Sequence, residues 1–399
     1  MSWPMVKLKD CCEVVGGATP KRNVAFYWDG DIPWITPKDV SNLSEPYIYE
    51  APEYISKAGY KSAATYMLPV GTVLLTSRAP IGNVAIAGIE LCTNQGFKSL
   101  IPGQNVHSKY LYHCIKKFVP QLELLGNGAT FKEVSKRVVE DFEIPLPPLE
   151  EQKRIAAILD KADGVRQKRE QAIKLADDFL RATFLEMFGD PVSNPKGWKV
   201  KPLKELTVKI ASGSTPKGGS KVYVDKGITF FRSQNVWKND IRLDDVAYID
   251  EKTHNSLKKS SLKHKDILMT KTGRFNTENS SLGRAALFLG DDDSANVNGH
   301  VYLIRLKAGV LHEFIVYILT SNEYREHIRE VCVGGIDKRQ LNKEHIEDFP
   351  IICPPDDLQI EFMRKLNGIQ KIRSNAMMGL KEVIPLFNTL NQKAFSDGF

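Results

Sequence analysis

The sequence predicts a mixed α/β chain made of two tandem copies of one unit. Each copy is a globular domain followed by a long helix, and the two helices are expected to pack as an antiparallel coiled-coil spacer with pseudo-two-fold symmetry. Three observations predict this. Leu149–Phe188 and Asp356–Phe395 are each about forty residues of helical periodicity, the first free of proline and with a single glycine. The two stripes share one register, and the segments that precede them repeat each other.

The stripe of the second stretch, apolar but for one arginine, falls at alternating spacings of four and three: Phe362, Leu366, Ile369, Arg373, Ala376, Leu380, Val383, Phe387, Leu390, Ala394. Moving back 207 positions lands on Ile155, Leu159, Ala162, Arg166, Arg169, Ile173, Ala176, Leu180, Thr183 and Met187. Charged residues fill the other faces, so both stretches are amphipathic helices. At about 1.5 Å per residue each would run roughly 55 Å, far beyond a helix of three or four turns. A heptad-like stripe in two copies predicts that the copies bury it against each other. The seam is assigned to Ile155, Leu159, Ala162, Ile173 and Leu180 on one helix and Phe362, Leu366, Ile369, Leu380 and Phe387 on the other. Arg166 and Arg373 are expected to reach the edge of the seam or meet acidic groups there.

The repeat has a period of about 200 residues, too long for a solenoid and right for a duplicated domain. Gly17-Ala18-Thr19-Pro20-Lys21 returns as Gly213-Ser214-Thr215-Pro216-Lys217, and Ile32–Thr36 matches Ile228–Arg232. Val73–Thr76 matches Ile267–Thr270, and Glu140–Pro148 matches Glu347–Pro355. Each copy has one internal order: a short strand (Val6–Leu8; Val200–Leu203), the Gly-x-Thr-Pro loop, and runs of β-branched and aromatic residues at Ile32–Thr36, Thr72–Thr76, Val84–Ile86 and Lys98–Ile101 in copy one. A helix follows near Ser108 and near Leu311, then a glycine-rich loop and a strand ended by two prolines. The prolines launch the long helix, with Glu150 and Asp357 at the positive end of its dipole. The domains are therefore expected at 1–148 and 190–355, with the helices at 149–189 and 356–399.

At 399 residues each domain is large enough to bury a core. The net charge of +7 and pI near 8.9 suit a polyanionic partner, but an even scatter of lysines would give the same values. No apolar run of eighteen residues and no signal peptide is present, which predicts a cytoplasmic chain that meets no membrane. The six cysteines form no CxxC pair and read as reduced and mostly buried.

The duplicated motifs resemble those of specificity subunits of type I restriction-modification systems, over essentially the whole chain. The resemblance is carried by Gly17-Ala18-Thr19-Pro20, by Ile144-Pro145-Leu146-Pro147-Pro148-Leu149-Glu150-Glu151-Gln152-Lys153-Arg154-Ile155, and by their second copies. Copy two departs from the helix-launching pattern at Ile351-Ile352-Cys353-Pro354-Pro355-Asp356-Asp357-Leu358-Gln359, keeping the prolines and the glutamine. The resemblance implies two target-recognition domains, each reading one half of a bipartite site in double-stranded DNA. It also implies that the helices act as a spacer and as a dock for two methyltransferase subunits, with restriction subunits in the full complex.

Reading bases in the major groove takes directed donors and acceptors, Arg and Lys on guanine and Asn and Gln on adenine, while cations and small polar groups on phosphates set the register. Both copies place such residues in loops after strands. Copy one offers Lys21, Arg22, Thr36, Lys38, Ser77 and Arg78, then Asn127, Thr130 and Lys132. Copy two offers Lys217, Arg232, Ser233, Gln234, Asn235, Lys271, Thr272, Arg274, Lys338 and Arg339. Thr36 and Lys38 stand where copy two has Arg232 and Gln234, a difference expected if the domains read different half-sites. Any one loop lysine could equally be a solvated surface residue, and the Thr of Gly-x-Thr-Pro could cap its turn rather than touch DNA.

No catalytic constellation is apparent. The Asn/Asp-Pro-Pro-aromatic motif of an amino-methyltransferase is missing, and no Gly-x-Gly-x-x-Gly follows a strand, so neither enzymatic activity nor a cofactor is expected. Glu151-x-Lys153 is half of a nuclease motif without the other half, Asp291-Asp292-Asp293 reads as a solvated acidic turn, and the histidines lack metal-ligand spacing. The rival reading is a non-enzymatic scaffold built on the helical pair, which would not need two domains with different loop chemistry.

Overall fold

The computed structural model describes residues 3–41, 43, 45–78, 80–128, 132–274, 280–335 and 337–396. The chain forms two compact units, Met1–Ile173 with Asn375–Phe399, and Lys174–Ser374. The long helices run over Leu149–Phe188 and Asp356–Ser396, so each is shared between the two units.

In the first unit the strands are β1 (Cys12–Gly16), β2 (Trp28–Ile35), β3 (Tyr47–Ile48), β4 (Val73–Ser77), β5 (Ile81–Ala87) and β6 (Lys98–Pro102). A five-stranded sheet has the order β1-β6-β4-β5-β3, antiparallel except where β3 runs parallel to β5. The β4 run of β-branched and aliphatic residues is buried throughout, as a central strand covered on both faces must be. A second, smaller sheet pairs β2 with Glu53–Ile55 antiparallel and with Cys92–Thr93 parallel. Helix α1 (Ser108–Leu124) buries Tyr110, Leu111, Cys114 and Ile115 against the large sheet.

The second unit repeats the plan with β7 (Thr207–Ser212), β8 (Ile228–Phe231), β9 (Ile267–Thr270), β10 (Ala285–Leu287) and β11 (Val301–Leu306). Its main sheet has the order β7-β11-β9-β10. Strand β8 again takes one antiparallel and one parallel neighbour, Ala247–Ile249 and Ala295–Val297. Helix α2 (His312–Thr320) stands where α1 stands in the first unit.

The launching motif has a physical basis. Gln152 is fully buried; its Nε2 donates to the carbonyls of Pro147 (2.8 Å) and Asn105 (2.9 Å), and its Oε1 accepts the His107 amide (2.9 Å). Gln359 makes the same bond to Pro354, 2.8 Å. The glutamine four residues past Pro-Pro thus satisfies a carbonyl stranded where the strand gives way to the helix. The repeated tryptophan works at the opposite end of a helix. Trp198 Nε1 donates to the Phe188 carbonyl (2.8 Å) in the second unit, and Trp3 Nε1 to the Ala394 carbonyl (3.1 Å) in the first. Each takes up a carbonyl that the last turn leaves without an intrahelical partner.

The helices meet in antiparallel fashion within each unit. In the first, Ile155, Ala156 and Leu159 share a core with Ala394 and Phe395, and Phe387 and Leu390 pack against it. In the second, Leu180, Phe184 and Phe188 share a core with Phe362 and Leu366. Burial along the expected seam is uneven. Ile155, Leu159, Leu180, Phe362 and Leu366 are buried, whereas Ala162, Ile173, Ile369, Leu380 and Phe387 are half-buried. The difference comes from the globules, whose sheets and short helices cover the ends of the long helices. Arg166 pairs with Asp163 and Glu170 of its own helix, and Arg373 crosses to Asp177 at 2.9 Å. The second helix continues through Pro385.

All six cysteines are free; four are buried, and Cys11 and Cys353 are half-buried. Among the described residues no helix is long and apolar enough to cross a membrane.

Candidate nucleic-acid interface

In the first unit, backbone hydrogen bonds gather loops that are far apart in sequence. Ala18 of the Gly-x-Thr-Pro loop donates to the Thr93 carbonyl (2.9 Å), and Asn94 donates to Ile35 at the end of β2 (3.0 Å). Ser77, at the end of β4, donates to Gly96 (2.8 Å), and Val134 donates to Ser77 (3.0 Å). Asn127 and Glu133 exchange a reciprocal pair, 3.0 and 2.9 Å. The second unit makes the same bonds at the matching places: Ser214 to Val297 (3.0 Å), Asn298 to Phe231 (2.9 Å), Lys271 to His300 (2.8 Å) and Leu341 to Lys271 (2.9 Å). There the last loops also form a three-stranded sheet of Thr272–Gly273, Arg339–Gln340 and Val333–Gly334. The groups around Ser77 and Lys132, and those around Lys271 and Lys338, are thereby brought together in their own units.

The side chains sort into two sets. Lys21, Lys38, Asn127 and Lys132 in the first unit, and Lys217, Gln234, Arg274 and Lys338 in the second, are exposed. Most of the others, the exposed Arg22 among them, are occupied in holding the loops. Arg22 makes a bidentate pair with Glu53 (2.7 and 2.8 Å) and lies over Trp28, 3.9 Å from the ring centroid. The hydrogen bond from Arg22 holds the Glu53 carboxyl below its usual range. The Thr36 hydroxyl and amide both donate to Asp39, 2.8 and 2.7 Å, which caps the following turn. Ser77 is fully buried, with its hydroxyl donating to the Gly96 carbonyl (3.2 Å) and receiving Lys98 (3.3 Å). Arg78 is half-buried and lies 3.9 Å from Glu133.

In the second unit Asn235 is fully buried, its amide accepting from the Arg232 backbone (2.9 Å) and donating to the Arg242 carbonyl (3.1 Å). Arg232 and Gln234 both reach Asp245, at 3.1 and 2.6 Å. Ser233 and Thr272 are half-buried, and Lys271 is half-buried over the Tyr302 ring at 5.5 Å. The half-buried Arg339 donates to the Cys332 carbonyl (3.3 Å). Thr130 lies outside the described residues. The expected loop residues thus divide between solvent-facing groups and the turns that position them. Ser77 and Asn235 belong to the turns, because a buried polar side chain with its bonds satisfied has nothing left for a ligand.

Sequence reasoning passed over Asn94–Gly96 and Asn298–His300, each of which bonds to the ends of two strands and follows the residue that the Gly-x-Thr-Pro loop holds. The only signal was local: Asn next to or near Gly directly before a strand marks a turn.

The remaining acidic candidates have structural partners. Lys153 pairs with Glu150 and Arg154 with Glu151 along one helix face. Asp292 accepts the His264 amide (2.8 Å) and Asp293 the Ser261 hydroxyl (2.7 Å). No group of three or more metal-ligating side chains occurs among the described residues.

Comparison with known proteins gives one answer. The family described as type I restriction modification DNA specificity domain matches twice, over residues 2–175 and 195–384. The MjaIX type I restriction enzyme specificity subunit of Methanocaldococcus jannaschii is 32% identical, the match covering 96% of this chain and 90% of that protein. The EcoR124I/EcoR124II specificity subunit of Escherichia coli is 30% identical over 37% of this chain and 38% of its own. Among solved structures, the S subunit of a type I restriction-modification system from M. genitalium superposes with a TM-score of 0.61 at 14% identity, covering 100% of this chain and 97% of that one. That likeness is one of fold.

Proposed function

We propose that this chain, which belongs to the type I restriction-modification DNA specificity family, reads a bipartite site in double-stranded DNA, one half-site with each of its two recognition domains. It is a specificity subunit and carries no catalysis of its own; methylation and cleavage belong to the other subunits of the complex. The recognition domains are residues 1–148 and 190–355, with the long helices Leu149–Phe188 and Asp356–Ser396 as the spacer between them.

One observation carries the bipartite reading. The two units hold their loops with the same set of backbone bonds and offer different side chains on them, Lys38 against Gln234 and Arg78 against Thr272. A shared frame with changed donors and acceptors is what two different half-sites require. We assign the exposed Lys21, Lys38, Asn127 and Lys132 to one half-site and Lys217, Gln234, Arg274 and Lys338 to the other, the lysines on phosphates.

The long helices serve as the dock for two methyltransferase subunits, with restriction subunits joining the full complex. Leu175 and Phe179 on the first helix are each 59% exposed, and Ile372 and Met378 on the second are each 61% exposed. Apolar side chains of this size left open on a helix suit a protein partner. A scaffold built on the helices alone is not favoured, because it leaves the duplicated loop frame without a task.

Methylome sequencing of cells carrying the chain with its partner subunits, against cells lacking the chain, tests the reading. A gapped two-part motif that disappears with the chain supports it, and an unchanged methylome refutes it.

A further inference from the structure

We propose that the Asn94–Gly96 and Asn298–His300 loops carry base-reading side chains, Gln95 for the half-site of the first unit and His300 for that of the second. This inference rests on the DNA-recognition reading above and adds to it the residues at the centre of each loop frame.

Both loops are built alike. An asparagine side chain closes each one: the Gly96 amide donates to Asn94 Oδ1 (2.8 Å) and the His300 amide to Asn298 Oδ1 (3.1 Å). Three other elements then clamp it through the backbone, two at the loop itself and the Gly-x-Thr-Pro loop at the residue just before it, Thr93 or Val297. They are the Gly-x-Thr-Pro loop, the end of β2 or β8, and the end of β4 or β9, the last through Gly96 and His300 themselves. The clamp also explains the repeated glycine and threonine. A Cβ on Gly17 would lie 2.2 Å from the Thr93 and Asn94 carbonyl oxygens, and one on Gly213 would lie 2.2 Å from that of Asn298, so only glycine permits the approach. The Thr19 hydroxyl donates to Gln95 Oε1, and Thr215 Oγ1 stands 3.4 Å from where a Cβ on Gly299 would sit. Gly-x-Thr-Pro is therefore a brace for the reading loop in each unit.

From each braced loop one polar side chain faces solvent, Gln95 in the first and His300 in the second. Gln can pair with the N6 and N7 edge of adenine, and a histidine ring N–H can donate to an acceptor on a purine edge. A short loop pinned on three sides loses little freedom on binding, which suits a base contact. The lysines around it sit on flexible stems and suit phosphates.

The test uses the full chain assembled with its methyltransferase subunits, read by methylome sequencing and by binding to duplexes varied one base pair at a time. Gln95→Ala is expected to relax one or two base pairs of the first half-site, with discrimination there falling about fivefold to a hundredfold, and to leave the second half-site untouched. His300→Ala is expected to do the converse. Gln95→Glu keeps the shape and exchanges a donor for an acceptor, so it should shift preference at the same base pair toward cytosine on the contacted strand. An unchanged motif with all three variants, or a uniform loss on every duplex, overturns the proposal. If Lys132→Ala and Arg274→Ala still weaken binding while these motifs stay unchanged, only this assignment falls. A wild-type complex without a two-part motif removes the DNA-recognition reading and this proposal with it.

Discussion

Replacing Phe362 with alanine should unseat the second unit from its long helices. The ring is fully buried and touches four others, with centroids at 5.3 Å from Phe184, 5.6 Å from Phe188, 6.4 Å from Phe314 and 4.9 Å from Tyr317. The cluster joins the end of the first long helix, the start of the second, and α2. A buried aromatic side chain takes about 150–250 Å² out of water, worth about 4–6 kcal/mol as an upper bound at about 25 cal/mol per Å². Measured Phe-to-Ala costs of about 3–5 kcal/mol include the cavity left behind, so about 4 kcal/mol is expected. For a unit of this size each kcal/mol lowers the midpoint by about 2–4 °C, which gives a fall of about 8–16 °C. Scanning calorimetry of the full chain should show the transition of the second unit move by that amount and that of the first stay in place. Phe362→Leu keeps most of the volume and should cost about 1–1.5 kcal/mol. A fall below about 2 °C for Phe362→Ala would refute the claim that this cluster anchors the unit.

Arg274→Ala should weaken recognition of the second half-site alone, by about 1–3 kcal/mol where a base is contacted, whereas Lys132→Ala, which removes a phosphate contact, should weaken binding to all sequences alike. A phosphate contact would instead lower affinity for all sequences and flatten the salt dependence, and binding to duplexes changed in one half at a time separates the two outcomes. Inserting four residues after Ala172 adds about 6 Å of helix, so the gap in the methylated motif should lengthen by one or two base pairs at about 3.4 Å each. An unchanged gap would count against the helix as spacer. Asp160 ties the first long helix to α1 through His113 (2.7 Å) and Lys109 (2.5 Å). Burial pushes its carboxyl upward, and the bonds from His113 and Lys109 outweigh that and leave it below the ordinary range. With a depressed folded-state value, its contribution is complete above the unfolded value near about 3.9 and is lost as pH falls through the folded one. Asp160→Asn should therefore cost about 1–3 kcal/mol near neutral pH, with the gap to the unchanged chain closing below about pH 4. Urea unfolding at pH 7 and pH 3 checks it, and an equal gap at both would refute the assignment.

Local periodicity was enough to expect long helices over Leu149–Phe188 and Asp356–Phe395, a strand over Thr72–Thr76 and the duplication itself; the helices run over Leu149–Phe188 and Asp356–Ser396 and the strand over Val73–Ser77. These features rest on contacts between neighbours in the chain or on repeated text, and both are written in residue order. The stripe told which face of each long helix is apolar. It did not tell that Phe362 would be sealed and Ile372 left open, because that depends on which globule lies over which turn. The loop residues divide in the same way. Composition singled out Arg22, Ser77 and Asn235 as readily as Lys132 and Arg274. Only the fold brought Glu53 to Arg22 across 31 positions, and only the fold closed Gly96 over Ser77. The Asn94–Gly96 and Asn298–His300 loops look like ordinary turns in the sequence. They become the centre of each frame because three distant segments bond to the loop or to the residue just before it. A hydrogen bond between segments is set by where the chain returns, and residue spacing along the chain carries no record of it.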